Sequence, residues 1–120
     1  MDHINVYSED KIISRILLDN SMEGLAAELA SYDKIYAVMD EEVATSCPAA
    51  AEIAEVLNRK GAPGMLIAAY EGGKTMETVM EICGWLLDEG ADRDALVLAV
   101  GGGITSDMVG FAASIYKRGV

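Results

Sequence analysis

Basic residues are scarce: nine lysines and arginines face 20 aspartates and glutamates, a formal net charge of −11. A field of that sign repels phosphate backbones and argues against nucleic acid as a partner. It does not exclude a small anion, because a local nest of amides can outweigh distant charge. Histidine is scarcer still. His3 is the only one and sits near the start of the chain, which leaves no basis for a histidine metal site. The two cysteines, Cys47 and Cys83, show neither a C-x-x-C nor any paired ligand spacing, so they read as plain thiols of a reducing compartment. No apolar run approaches the ~20 residues of a membrane span. Met1-Asp2-His3-Ile4-Asn5 also lacks the basic-then-apolar layout of a secretory signal. The expectation is a soluble, cytoplasmic protein with no membrane partner. Internal repeats and low-complexity tracts are missing as well.

What is present is a regular alternation of apolar blocks and helical stripes. Hydrophobic residues make up 52% of the 120 positions. That length predicts one domain spanning 1–120, large enough to bury roughly two thirds of its unfolded surface. Ile12-Ile13 and Ile16-Leu17-Leu18 read as strand, followed by Asp19-Asn20-Ser21 as an N-cap cluster. Leu25, Ala26 and Leu29 then share one helical face. Lys34 to Met39 reads as a buried strand stopping at Asp40-Glu41-Glu42. Pro48 opens a helix with Ile53, Val56 and Leu57 on its inner side, stopped by Gly61. Met65 to Ala69 is the next strand. A helix from near Thr75 carries Val79, Ile82, Cys83, Leu86 and Leu87 at helical spacing and ends at Gly90. Ala95 to Val100 has the continuous apolar character of a strand buried on both faces. Met108, Phe111, Ala112 and Ile115 mark a last helix, closed by Lys117-Arg118-Gly119.

Short apolar strands each followed by an amphipathic helix predict an α/β fold. The sheet is expected to be open, Rossmann-like and mostly parallel, with helices on both faces. Right-handed crossovers bring the loops after the strands to one edge, where open α/β sheets bind ligands. Three loops qualify: Asp40 to Cys47, Tyr70 to Thr75, and Gly101 to Asp107.

The third loop carries the sharpest local signal. A strand runs into Gly101-Gly102-Gly103-Ile104-Thr105-Ser106-Asp107 and a helix follows. Glycines permit positive φ and leave no side chain between a phosphate and the backbone. The first helical turn adds free N–H groups and the positive end of a dipole. A tight ligand-free turn would look similar, but three consecutive glycines favour an anion site. The missing Gly-Lys-Ser/Thr ending speaks against a nucleoside triphosphatase loop. Asp107 is either a first-turn carboxylate stabilising its helix or, pointing away from the phosphates, a recogniser of ligand hydroxyls or amides. Lys74 is either solvated or a phosphate and ribose contact, with Glu71 as a hydroxyl acceptor beside it. Asp40 either caps the following helix or holds a ribose or adenine group.

The block Gly101 to Ala113, continuing through Tyr116-Lys117-Arg118-Gly119-Val120, resembles 3-dehydroquinate synthase. So do Glu71-Gly72-Gly73-Lys74-Thr75-Met76-Glu77-Thr78 and the lead-in Asp92 to Leu98, with order and spacing agreeing along nearly the whole chain and matching least before about Lys34. The resemblance implies an N-terminal NAD-binding domain. It assigns cofactor contacts to Asp40, Glu71, Lys74, Gly102, Gly103, Ile104 and Asp107, with Thr105 and Ser106 lining the turn and their hydroxyls adding contacts. Arg118 becomes a ligand of the substrate phosphate; by chain physics alone it is a helix C-terminal cation. The family pattern differs at Thr105 and Ser106, where a second apolar residue and a glycine are commoner. It also differs at Ala69-Tyr70, where an Asp-Gly pair is common.

The implied activity is the conversion of a seven-carbon keto-acid sugar phosphate, 3-deoxy-arabino-heptulosonate 7-phosphate, into 3-dehydroquinate with loss of phosphate, a step of the shikimate route. The divalent metal, zinc or cobalt, is held in the family by one Glu and two His that lie beyond the position of Val120. The expectation is therefore a truncated cofactor-binding piece, inactive by itself and weak for NAD. It should self-associate as a homo-oligomer to shield exposed strand edge and apolar surface. Related sugar-phosphate cyclases share the glycine block. Glycerol- and iron-dependent alcohol dehydrogenases share a similar loop, but usually lack the Phe-Ala-Ala followed by Arg-Gly. A nucleotide-binding module without catalysis, or a scaffold with an empty loop, are the readings from other classes.

Overall fold

The computed structural model describes residues 2–19 and 22–120. Its contacts gather into two units, Met1–Ser31 and Tyr32–Val120. In the first, β1 (Asp2–Ser8) and β2 (Lys11–Leu18) form an antiparallel hairpin in which His3 lies opposite Leu17, and α1 (Glu23–Leu29) follows. Glu9 at the turn holds a left-handed φ of 56°. The strand reading of Ile12 to Leu18 holds. The partner strand β1 was not expected, because Ile4 and Val6 alternate with polar neighbours too briefly to stand out. Of the expected Asp19-Asn20-Ser21 cap, Asn20 and Ser21 lie outside the described residues. Within this unit Arg15 donates to Glu28 at 2.8 Å, linking β2 to α1.

The second unit is built on a parallel three-stranded sheet in the order β4–β3–β5, from β3 (Ile35–Asp40), β4 (Gly64–Ile67) and β5 (Leu96–Val100). β3 is central and buried along its whole length. Its alternate residues serve two cores. Tyr36 and Val38 join Ile67, Val79, Ile82, Leu86, Met108, Val109 and Ala112 under α4 (Met76–Asp88) and α5 (Gly103–Ile115). Ala37 and Met39 face the other way, towards Ala50, Ala54 and Leu57 of α3 (Pro48–Arg59). The α/β class with a parallel sheet and helices on both faces is therefore present.

Four local expectations change. The loop expected from Asp40 to Cys47 holds a short helix, α2 (Glu41–Ser46); its two leading glutamates favour the positive end of a helix rather than merely stopping a strand. β5 is half-buried over most of its length, because it lies at the edge of the sheet and not at its centre. On α4, Leu87 is exposed although its spacing fits the stripe, and on α5 Phe111 and Ile115 are exposed too. Helical spacing identifies a face, but not how far the sheet beneath extends to cover it. The helix starts and stops are otherwise as read. Pro48 opens α3, Thr75 caps α4 through its side chain, and Gly61 and Gly90 hold left-handed φ after α3 and α4.

Cys83 sits between α4 and α5, its thiol directed at the Ala112 carbonyl oxygen (3.7 Å), and burial pushes its pKa above the ordinary thiol value of 9.0. Cys47 is exposed. Iodoacetamide at pH 8 should therefore alkylate Cys47 at least about tenfold faster than Cys83, since only an accessible thiolate reacts. Peptide mass spectrometry over a time course reads this directly, and equal rates would mean that the α4–α5 contact opens readily.

Candidate functional site

Because the three strands are parallel, the segments after β3, β4 and β5 all emerge at one edge. These are the three segments singled out from the sequence. Between α4 and α5 at this edge lies a cleft of about 640 Å³, lined by Lys74, Thr75, Met76, Val79, Ser106, Asp107, Met108, Gly110 and Phe111. The lining is mostly apolar, with Lys74, Thr75, Ser106 and Asp107 as its polar members.

The glycine loop works differently from its sequence-level explanation. None of Gly101, Gly102 and Gly103 has a positive φ; Gly102 is extended at φ −88°. Gly101 is required by a close approach: a methyl group there would stand 2.5 Å from Thr105 Oγ1 and 2.8 Å from Thr105 Cβ. Gly102 and Gly103 face open space. The first helical hydrogen bond of α5 runs from Ser106 N to Gly102 O at 3.0 Å. The N–H groups of Gly103, Ile104 and Thr105 therefore precede the helix's own bonding. No side chain caps them. This bare terminus contrasts with α4, where Thr75 accepts from the Thr78 N–H.

Two of the residues expected at the cofactor turn their side chains onto the core. Thr105 is fully buried, and its hydroxyl, without a hydrogen-bond partner, faces the protein interior. The expectation that it adds a ligand contact is corrected: third in α5, it projects inward beneath Gly101. Ile104 likewise packs its side chain on the core. Ser106 stays at the surface, where its hydroxyl donates to Gly102 O at 3.1 Å.

Asp107 lies past the first turn of α5, which has no acidic residue, so the helix-stabilising role does not hold. Its carboxylate instead accepts from Lys74 Nζ at 2.7 Å, across 33 residues of sequence. Both side chains remain partly exposed. Asp107, and more weakly Glu71, raise the Lys74 pKa above its ordinary value of 10.5, so the ammonium stays charged. Glu71 opens a single 3₁₀ turn, Glu71–Gly73, before Lys74. Tyr70 lays its ring along this turn, so that a methyl at Gly73 would meet the ring at 2.7 Å. In sequence Tyr70 marks only the start of this loop and a departure from the family pattern. Its place beside two glycines is the signal that could have revealed the packing.

Asp40 sits where a helix cap would, but its side chain does not cap α2. It is buried, and Oδ1 accepts from the Ala69 N–H at 3.2 Å, tying the end of β3 to the segment that leads into Tyr70. Arg118 is not part of this cluster. It follows the 13-residue α5 at the opposite end from the glycine loop, roughly 20 Å away at 1.5 Å per residue. Lys117 and Arg118 there hold left-handed φ of 46° and 67°. Among the described residues no three His, Cys, Asp or Glu side chains are grouped to hold a metal ion. No described helix is long and apolar enough to cross a membrane.

Residues 64–120 match the family model described as 3-dehydroquinate synthase N-terminal. The 3-dehydroquinate synthase of Parabacteroides distasonis is 30% identical over 113 residues, covering 94% of this chain and 31% of that protein. ValA, the 2-epi-5-epi-valiolone synthase of Streptomyces hygroscopicus subsp. jinggangensis 5008, solved with NAD+ and Zn2+ bound, superposes with a TM-score of 0.65 at 34% identity. The match covers 78% of this chain and 26% of that one. A 2-deoxy-scyllo-inosose synthase complexed with carbaglucose-6-phosphate, NAD+ and Co2+ gives 0.68 at 26% identity, over 85% of this chain and 29% of that one. The chain thus spans less than a third of the length of these relatives. Over residues 64–120 the chain is similar to the 3-dehydroquinate synthase N-terminal family, and over most of its length to 3-dehydroquinate synthase and related cyclases.

Proposed function

We propose that this chain is the NAD-binding part of a sugar-phosphate cyclase, most specifically of a cytoplasmic 3-dehydroquinate synthase. The observation that carries the proposal is the uncapped N-terminus of α5. It is bared by Gly102 and Gly103 and flanked by the Lys74–Asp107 pair at the strand edge where open α/β sheets take nucleotides. These residues fit a dinucleotide. The amides of Gly103, Ile104 and Thr105 offer donors to a pyrophosphate, Ser106 and Lys74 stand beside them, and Glu71 and Asp107 offer acceptors for hydroxyls. Asp40 acts by fixing the chain between β4 and Glu71. When bound, NAD supplies a reversible hydride acceptor for a substrate alcohol. The chain's own part is to hold the cofactor and keep the apolar walls of the cleft against it. Residues 1–120 act as one N-terminal cofactor domain in this reading. In this reading the metal's ligands belong to another part of the enzyme. The chain alone performs no turnover, and a homo-oligomer is its working form. The wider cyclase family is favoured equally by the valiolone and inosose synthase likenesses. The longer match to the Parabacteroides synthase favours dehydroquinate as product.

Calorimetric titration with NAD, NADH and ADP tests the proposal. One-to-one binding is expected, weakened at least about tenfold by Lys74→Met, as for loss of a charge-assisted phosphate contact. Arg118→Ala should leave that affinity unchanged, because a phosphate bound at its end of α5 is not the cofactor's. A chain that binds none of the three nucleotides overturns the reading. A large loss with Arg118→Ala would place the cofactor elsewhere.

A further inference from the structure

We infer that Asp107 sets the selectivity of the anion site: by engaging Lys74 it excludes bare oxyanions and admits ligands that present a phosphoryl group together with a hydroxyl donor. The inference rests on the nucleotide reading above and names what the site selects.

Lys74 is the only cation carried by the segments Asp40 to Cys47, Tyr70 to Thr75 and Gly101 to Asp107. Those segments also carry Asp40, Glu41, Glu42, Glu71 and Asp107. The edge is therefore strongly acidic, and its one ammonium is neutralised by a carboxylate at 2.7 Å. A simple oxyanion approaching the amides of α5 meets a neutral pair inside a negative surround. To use Lys74 it must loosen that pair, which leaves the Asp107 carboxylate facing the newly bound anion. A ligand with a hydroxyl near its phosphoryl group avoids this conflict. The hydroxyl donates to Asp107 while phosphoryl oxygens accept from Lys74 and the helix amides, so both members of the pair keep a partner of the right polarity. Ribose phosphates meet this description and inorganic pyrophosphate does not. Both side chains are partly exposed, and Asn has the shape of Asp. Asp107→Asn therefore removes the charge without disturbing the core.

The test is calorimetry of the full chain, Asp107→Asn and Lys74→Met with pyrophosphate and with ADP. For the native chain ADP should bind well ahead of pyrophosphate. In Asp107→Asn, pyrophosphate should gain about fivefold, the factor an exposed ion pair reaches at its upper end, while ADP gains nothing. The preference for ADP then shrinks at least that much. Lys74→Met should weaken both ligands. An unchanged ratio in Asp107→Asn overturns the inference, and if ADP and NAD still bind, the nucleotide reading survives it. A gain of pyrophosphate by Asp107→Asn when no form binds NAD or ADP overturns both, because the ligand that the pair is said to admit is then not bound. Failure of every form to bind either probe overturns both.

Discussion

Gly101→Ala lowers the stability of the chain by about 1–3 kcal/mol, the range for forcing a methyl group into a packed site. The new Cβ would stand 2.5 Å from Thr105 Oγ1, 2.8 Å from Thr105 Cβ and 3.1 Å from Cγ2, all belonging to a short, stiff side chain. Thr105 is fully buried inside α5 and has no room to retreat. For a unit of this size the loss corresponds to a melting temperature lower by roughly 4–24 °C. Thr105→Ala should restore only part of it in the double variant, because the remaining Cβ is still too near. The coupling between the two positions, read from a double-mutant cycle in urea, should be clearly non-zero. Thr105→Val alone goes the opposite way. It replaces a buried hydroxyl that has no partner with a methyl of similar shape, and should gain about 1 kcal/mol. An unchanged midpoint for Gly101→Ala would mean that the glycine loop has slack, and the rigid placement of the α5 amides would lose its basis.

The legible parts of the fold are those fixed by neighbours in sequence. Ile35 to Met39 forms a strand because five successive apolar residues suit burial on both sides, and Pro48, Thr75, Gly61 and Gly90 mark helix ends by their own backbone chemistry. The glycine loop was legible for the same reason, since strand, glycines and helix are contiguous. What escaped depends on partners distant in the chain. The order β4–β3–β5 makes β5 an edge strand, and no feature of Leu96 to Val100 encodes that position. Phe111 and Leu87 carry the right spacing and still face outward, because coverage depends on what lies opposite. Lys74 and Asp107 were each read as ambiguous alone. Only the sheet brings their loops together and turns two ambiguous residues into one ion pair. Thr105 shows the same limit at short range, since four residues of separation hid a steric reason for Gly101 behind a conformational one.

Gly103→Ala should separate stability from binding, and the two effects should have opposite signs. Gly103 is the first residue of α5, its backbone is not in the left-handed region, and a methyl there meets nothing within 4 Å. The fold accepts alanine at no steric cost. The unfolded chain loses freedom, so stability should rise by roughly 0.4–1 kcal/mol. The ligand has no such tolerance. The open space beside Gly103 is where a pyrophosphate must approach to reach the amides of Gly103, Ile104 and Thr105, and a methyl group holds its oxygens beyond hydrogen-bond distance. Losing two charge-assisted contacts of about 1.5–3 kcal/mol each weakens binding by at least about a hundredfold. Thermal unfolding and NAD calorimetry on the same sample read both quantities. A stabilised Gly103→Ala that binds NAD as tightly as the native chain would place the diphosphate away from α5, since no ligand seated on those amides could ignore a methyl group in its path.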